Sequence, residues 1–230
     1  MTIYDNVLRV KDKISEAAVR SGRNPDDITL VAVSKTVGHQ EVKEAIRAGV
    51  THFAENRVQM LLDKQKDPDL IYPKVDWHLI GHLQTNKVKY LKDRVSLIHS
   101  VDSIKLVEEI NKQAEKNGKK TDILLELNIS GEESKFGLSP EEIPVFMEKF
   151  SEFNHVNLKG LMTMAPKIAE EKEKRKIFCK LNEIFVDMNS NKIYNIHMSI
   201  MSMGMSNDFE VAVEEGSNLV RIGTSIFYTG

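Results

Sequence analysis

The sequence predicts an α/β chain whose parallel strands close into a (β/α)8 barrel of the TIM type. Two observations lead there. Eight short, strand-like apolar runs alternate with helical stretches, and an amphipathic segment at the N-terminus supplies the eighth helix. The length, 230 residues, is usual for that fold. An open, doubly wound sheet is the competing topology. With no linker and no low-complexity stretch, residues 1–230 are expected to form one domain.

The elements follow in order. Ile3, Val7, Val10, Ile14 and Ala17 or Ala18 share one helical face over 3–20, with Thr2 as N-cap. Strands are expected at 30–33, 51–54, 77–80, 96–101, 122–128, 157–163, about 194–200 and 218–222. Helices are expected near 39–48, 56–66, 86–92, 103–117, 139–152, 168–189 and 206–215. Gly49 and Gly118 stand where helices should stop, and Gly216 closes the last helix before the final strand. Ser139-Pro140-Glu141-Glu142 reads as an N-cap, an N1 proline and an acidic first turn. The charged run 170–176 reads as the solvated face of a long helix. Cys179, among apolar neighbours in "KIFCKLNEIF", is expected to pack in the core.

Bulk properties exclude several classes. A formal charge of −2 and a pI near 6.4 give no footprint for nucleic acid or an anionic membrane. No apolar stretch approaches the roughly 18–20 residues that cross a bilayer. The N-terminus carries no export leader, and a lone cysteine makes no internal disulfide, so a cytoplasmic location is expected.

In a parallel barrel, chemistry collects at the C-terminal ends of the strands. There stand Ser34-Lys35-Thr36, Glu55-Asn56-Arg57, Gly81-His82, Ser100-Val101-Asp102, Asn128, Lys135-Phe136-Gly137, Met164-Ala165-Pro166, the run 201–206 and Arg221-Ile222-Gly223-Thr224. In "SMGMSNDFE", Ser206 is placed to cap the next helix, whose N-terminus attracts an anion, and Gly204 to let the backbone approach a ligand. An ordinary capped helix explains that stretch equally well by itself. Gly223 and Thr224 on the neighbouring strand turn the reading toward a phosphate. Lys35, at a partly desolvated mouth, would be readied to condense with an aldehyde as a Schiff base. Arg221, ending "NLVRI", would bond a ring nitrogen or pair with Glu55 or Glu126. Amine, anion cradle and ring partner together describe a site for pyridoxal 5′-phosphate. Met162, Met164, Met201, Met203 and Met205 would form an apolar floor under a flat ring. His78 and His82 are spaced i, i+4 on a strand with no third ligand near, so no metal site is expected.

These motifs resemble the pyridoxal-phosphate homeostasis proteins, the single-domain barrel relatives of alanine racemase. The resemblance rests on "VAVSKT" (31–36), "FAENRVQ" (53–59), "WHLIGHLQTNK" (77–87), "SVDS" (100–103), "SKFG" (134–137), "LKGLMTMAP" (158–166), "SMGMSND" (202–208) and "VRIGTSIF" (220–227). It implies a barrel of the racemase N-terminal type without the C-terminal β domain. It also implies that Lys35 carries the cofactor covalently, Arg221 faces the pyridine nitrogen, Ser206, Gly223 and Thr224 hold the phosphate, and Asn56 lies beside the ring. His82 and Met164 would line the pocket, with Ser202 a lesser phosphate candidate.

An arginine against the pyridine nitrogen leaves it unprotonated and weakens the ring as an electron sink. Racemisation also needs a second acid/base, which the racemases take from an added domain. Only seven residues follow Gly223 here, leaving His82, Tyr90 or Tyr228 as substitutes that nothing places there. The expectation is therefore a carrier of pyridoxal phosphate with no catalytic residues and no robust turnover, serving storage, delivery or protection, with cofactor-free enzymes as recipients. Without the racemases' dimer contacts it is expected to be a monomer. The competing readings are a weak amino-acid racemase and a cofactor-free Schiff-base aldolase.

Overall fold

The computed structural model describes residues 1–71, 74–132, 135–190 and 196–228. Eight parallel strands pair in sequence order and close on themselves, β1 against β8. They are β1 Thr29–Val33, β2 His52–Glu55, β3 Asp76–Leu79, β4 Leu97–Val101, β5 Thr121–Glu126, β6 Val156–Met162, β7 Ile200–Ser202 and β8 Leu219–Ile222. Around them lie α1 Ile3–Arg20, α2 His39–Arg47, α3 Val58–Lys64, α4 Thr85–Val88, α5 Ile104–Lys116, α6 Ile143–Phe150, α7 Glu171–Ser190, α8 Phe209–Glu214 and α9 Thr224–Phe227. The closed sheet decides against the doubly wound alternative.

Local chemistry explains most element ends. Thr2 and Asp5 cap α1 reciprocally, each side chain accepting the other's amide at 3.1 and 3.0 Å. Ile3, Val7, Val10, Ile14, Ala17 and Ala18 are buried, so this helix closes the ring by its apolar stripe. Strand side chains alternate between two layers. Val31, Val33, Ala54, Leu97, Leu124, Met162 and Leu219 fill the barrel interior. Ala32, Phe53, Trp77, Val220 and Ile222 face the helices.

Several expectations are corrected. The helix near 86–92 is one turn, Thr85–Val88. The segment 139–152 divides into a 3₁₀ turn at Pro140–Glu142 and α6, the Glu142 carboxylate accepting the Ser139 amide at 2.8 Å. The seventh strand lies later than expected, at Ile200–Ser202. Met198 is bound through both backbone groups to the Asn189 side chain, which ties it to the end of α7 and not to the sheet. Asn218 then fixes the strand's start by accepting the Met201 amide at 2.8 Å. Cys179 is exposed on α7, not packed in the core. Arg175 does more than face water, because it joins α7 to Glu214 and Glu215 of the α8 segment. Tyr194 and Asn195 of the expected strand, Ser134 of "SKFG", and Thr229-Gly230 lie outside the described residues. Among the described residues, no helix is long and apolar enough to cross a membrane, and no group of three or more His, Cys, Asp or Glu is arranged to hold a metal.

Candidate functional site

The pairing of β1 with β8 builds the site. Val31 stands in register with Arg221 and Ala32 with Ile222. One step further, Gly223 abuts Val33, where an added Cβ would stand 3.1 Å from the Val33 carbonyl oxygen. Ser34 still follows the ladder, its amide donating to Ala54 O at 3.0 Å, and Val37 closes a turn onto Ser34 O at 3.1 Å. Lys35 occupies the first corner of that turn and is exposed. The partial desolvation expected of its amine is therefore not supplied by neighbouring protein groups.

Behind this corner lies an ion pair that the sequence reading missed. Glu55 and Lys64 are both buried and bonded to each other. Lys64 Nζ also donates to Ser34 O at 2.7 Å, and Ser34 Oγ donates to Glu55 Oε1 at 2.7 Å. The peptide leading into Lys35 is thus held from outside the barrel wall. Glu55, engaged here, is not a partner of Arg221.

Arg221 is 3 % exposed, at an inward position between Leu219 and Gly223. Its Nη1 donates to Ser202 O at 2.8 Å and to Ser202 Oγ, and its Nη2 donates to Thr163 O at 3.0 Å. Its Nε–H and one Nη2–H find no acceptor among the described residues. Burial pushes Arg221 down to about 10, while the charges of Glu126 and Asp208 act in the opposite sense. Glu126 ends β5 in the same interior. Burial, and then the charge of Asp102, raise its carboxyl to about 7, against the pull of Arg221. Ser202 is fully buried beneath Arg221, which removes it as a phosphate candidate.

The expected cradle is assembled from two loops. Ser206 Oγ accepts the Ser225 amide at 3.3 Å, and Ser225 Oγ donates to Ser206 O at 3.5 Å. Ser206 is not the cap of α8. The Asp208 and Phe209 amides both donate to Met205 O, at 3.0 and 2.9 Å, and Asp208 accepts the Met205 amide at 2.6 Å. The Ser206, Asn207 and Thr224 amides have no acceptor among the described residues. Gly204, with φ +94°, makes its close approach to α8, since a Cβ there would meet Ala212 Cβ at 2.6 Å. Its carbonyl accepts the Arg221 amide at 3.0 Å.

The remaining candidates surround this mouth unevenly. Asn56 follows β2 and is half-buried. His82 follows β3, stacks on Phe136 with centroids 4.1 Å apart, and lies 3.6 Å from Asp102 Oδ2. His78 is inside the barrel, so the two histidines do not act as a pair. Met162 and Met164 belong to the inner layer. Met201 and Met203 pack outside it, in the cluster of Phe178 and Leu181, and form no floor. The signal that would have found Ser202 is polarity at an inward position of an otherwise apolar strand, whereas Thr163 meets Arg221 through its backbone carbonyl, which no side-chain pattern reveals.

These residues fit a flat, phosphorylated pyridine aldehyde. A buried guanidinium keeps spare N–H groups for a neutral ring nitrogen, two loops offer unpaired amides and hydroxyls to an anion, and an exposed amine stands one strand away.

The chain is similar to proteins of known kind. The family model of the alanine racemase N-terminal domain matches residues 9–229. The pyridoxal phosphate homeostasis protein of Aquifex aeolicus is 42% identical over 230 residues, covering 99% of this chain and 98% of that one. Among solved structures, PipY of Synechococcus elongatus with PLP bound superposes with a TM-score of 0.82 at 31% identity, covering 93% of this chain and 99% of that one. An alanine racemase of Clostridium difficile shares the fold, with a TM-score of 0.76 at 15% identity, over 98% of this chain and 58% of the racemase.

Proposed function

The chain belongs to the pyridoxal phosphate homeostasis proteins, within the alanine racemase N-terminal domain family, and we propose from this premise that it holds pyridoxal 5′-phosphate at the barrel mouth. The cofactor is joined covalently to Lys35. Arg221 donates to its ring nitrogen through the spare Nε–H, and Ser206, Gly223 and Thr224 receive its phosphate. Asn56, His82 and Met164 flank the ring. The observation that carries this reading is the β1–β8 register, which sets Lys35, Arg221 and Gly223 on adjoining strand ends around one opening.

Bound pyridoxal phosphate supplies an electrophilic aldehyde and an electron-accepting ring. The chain's own residues limit the second property. Burial brings Arg221 down only to about 10, with the charges of Glu126 and Asp208 opposing it, so at neutral pH it stays a cation with no lone pair to take a proton and no drive to give one to the ring. The protein therefore serves intracellular storage, delivery or protection of the cofactor as a monomer, without robust catalysis, and cofactor-free enzymes are its recipients. Relatives named for homeostasis and not for an enzymatic reaction support this reading.

The test is direct. Purified protein should be yellow, borohydride should bleach it, and peptide mass spectrometry should find the reduced adduct on Lys35. Lys35→Ala should stay colourless. Wild-type protein that remains colourless with added pyridoxal phosphate overturns the reading. Transfer to a cofactor-free enzyme no faster than from free cofactor would remove direct delivery.

A further inference from the structure

Beneath Arg221, a row of hydrogen bonds crosses the barrel interior. Ser202 Oγ lies 2.9 Å from His99 Nδ1, His99 Nε2 lies 2.8 Å from His78 Nδ1, and His78 Nε2 lies 3.2 Å from His52 Nδ1. The row passes from β7 to β4, β3 and β2. His99 and His78 are buried, and His52 is half-buried at the opposite end of the barrel. There it lines a cleft of about 560 Å³ with Lys11, Asp12, Asp26 and Thr51.

The direction of every bond follows from Arg221. A guanidinium has no lone pair, so Ser202 Oγ accepts from it. The only other partner of that hydroxyl among the described residues is His99 Nδ1, so its proton is satisfied only where that nitrogen accepts it. His99 then carries hydrogen on Nε2 and donates to His78 Nδ1. His78 likewise donates from Nε2 to His52 Nδ1. All three rings are neutral in this arrangement, and burial independently holds His99 well down and His78 near 3. The charged groups facing the row are Arg221 at one end, with Glu126 and Asp208 acting on it, and at the other Asp76, 3.9 Å from His52 Nδ1, together with Lys11, Asp12 and Asp26 around the cleft.

We propose that His99, His78 and His52 are positioning residues for Arg221, and that protonation of His52 on the far face reverses the row and shifts Arg221 against a ring bound at the mouth. A doubly protonated His52 accepts nothing, so His78 must offer it a lone pair at Nε2 and carry hydrogen on Nδ1. His99 does the same. Ser202 Oγ then faces two donors, and its own proton has no partner among the described residues. The reversal takes up one proton from solvent and leaves every other group with the proton count it had. Its consequence is a weakened Ser202 contact for Arg221. The spectral consequence rests on the proposed cofactor site, whereas the row itself does not.

Nitrogen-15 NMR of the imidazoles in cofactor-free protein tests the row. Above the His52 titration, His99 and His78 should carry hydrogen on Nε2, and below it on Nδ1. Hydrogen on Nδ1 of His99 above that titration, or no exchange of tautomer, overturns the proposal. In protein loaded with pyridoxal phosphate, the absorbance should show a pH step at the midpoint read for His52 by NMR. His78→Leu should reduce that step at least tenfold while His52 still titrates, and a surviving step overturns the coupling. His52→Gln, at the half-buried end, should lose the step in a protein whose interior is untouched, and keeping it would be equally fatal. A wild-type protein that takes up no cofactor would overturn the functional reading, while the tautomers still decide the row.

Discussion

Gly223 lies against Val33 so closely that a methyl group at its Cα would stand 3.1 Å from the Val33 carbonyl oxygen. This contact sets the distance between the turn that carries Lys35 and the loop that carries Thr224. The φ of Gly223 is −112°, which any residue adopts, so only the contact is at stake. Gly223→Ala must push β8 away from β1 by a few tenths of an ångström. The expected cost is roughly 1–3 kcal/mol, read as a fall of about 2–10 °C in melting temperature. Cofactor retention should fall more than stability does, measured by dialysis of loaded protein.

Glu126 makes stability depend on pH. Its carboxyl is raised to about 7 in the folded chain from 4.5, chiefly by burial. Between those values the folded state binds more protons than the unfolded one, so stability is full below about pH 4.5 and is lost as pH rises through 7. The loss is about 3 kcal/mol for this group. Glu126→Gln should match wild type in urea unfolding of the cofactor-free protein at pH 4.5 and exceed it at pH 8. Equal stability at pH 8 would place the carboxyl in a more polar setting than its burial implies.

Lys64 and Glu55 hold the Ser34–Lys35 peptide from behind. Lys64→Met should leave a buried carboxylate without its partner and cost about 3–5 kcal/mol, whereas the double change Lys64→Met with Glu55→Gln should recover much of that. The double variant should still bind pyridoxal phosphate more weakly than wild type, since Ser34 O has lost the donor that fixes it. Chemical denaturation and cofactor titration on the two variants separate these effects.

The barrel was legible because each strand announces itself by an apolar run and each helix by its stripe, and Val31 and Val33 fill the interior as alternation requires. Lys35 and Arg221 stood out as charges ending such runs. What escaped notice depends on long-range packing. Nothing local shows that Ser202 would meet His99, 103 residues away, or that Lys64 would reach back to Ser34 across 30. Ser206 was misread as a helix cap because its neighbour across the rim, Ser225, is 19 residues distant. The methionines misled for a related reason. Strand alternation sends Met201 and Met203 outward, and that parity becomes readable only once the limits of β7 are known.

Ser206 and Thr224 are expected to share the phosphate. Ser206→Ala with Thr224→Ala removes two hydroxyls, each worth about 1.5–3 kcal/mol if it donates to a charged oxygen. The apparent dissociation constant should rise at least a hundredfold. Because Ser206 Oγ also accepts the Ser225 amide, the single Ser206→Ala change should loosen the loop pair, seen as faster amide exchange at Ser225. Unaltered retention in the double variant would place the phosphate elsewhere.

Arg221 offers the sharpest test, because its two faces can be separated. Its two Nη atoms bond Ser202 and Thr163, and its Nε–H has no acceptor among the described residues. Arg221→Gln removes the charge but keeps a donor. It should lower stability through the lost contacts, read by denaturant unfolding, and change the absorption of bound cofactor only slightly. Arg221→Glu reverses the charge and offers an acceptor, so it should draw a proton onto the ring nitrogen and shift the absorption maximum. Circular dichroism confirms that each variant is folded before its spectrum is compared. If Arg221→Glu folds, binds pyridoxal phosphate and leaves the spectrum where it was, the guanidinium does not touch the ring nitrogen, and its role is confined to joining the ends of β6, β7 and β8.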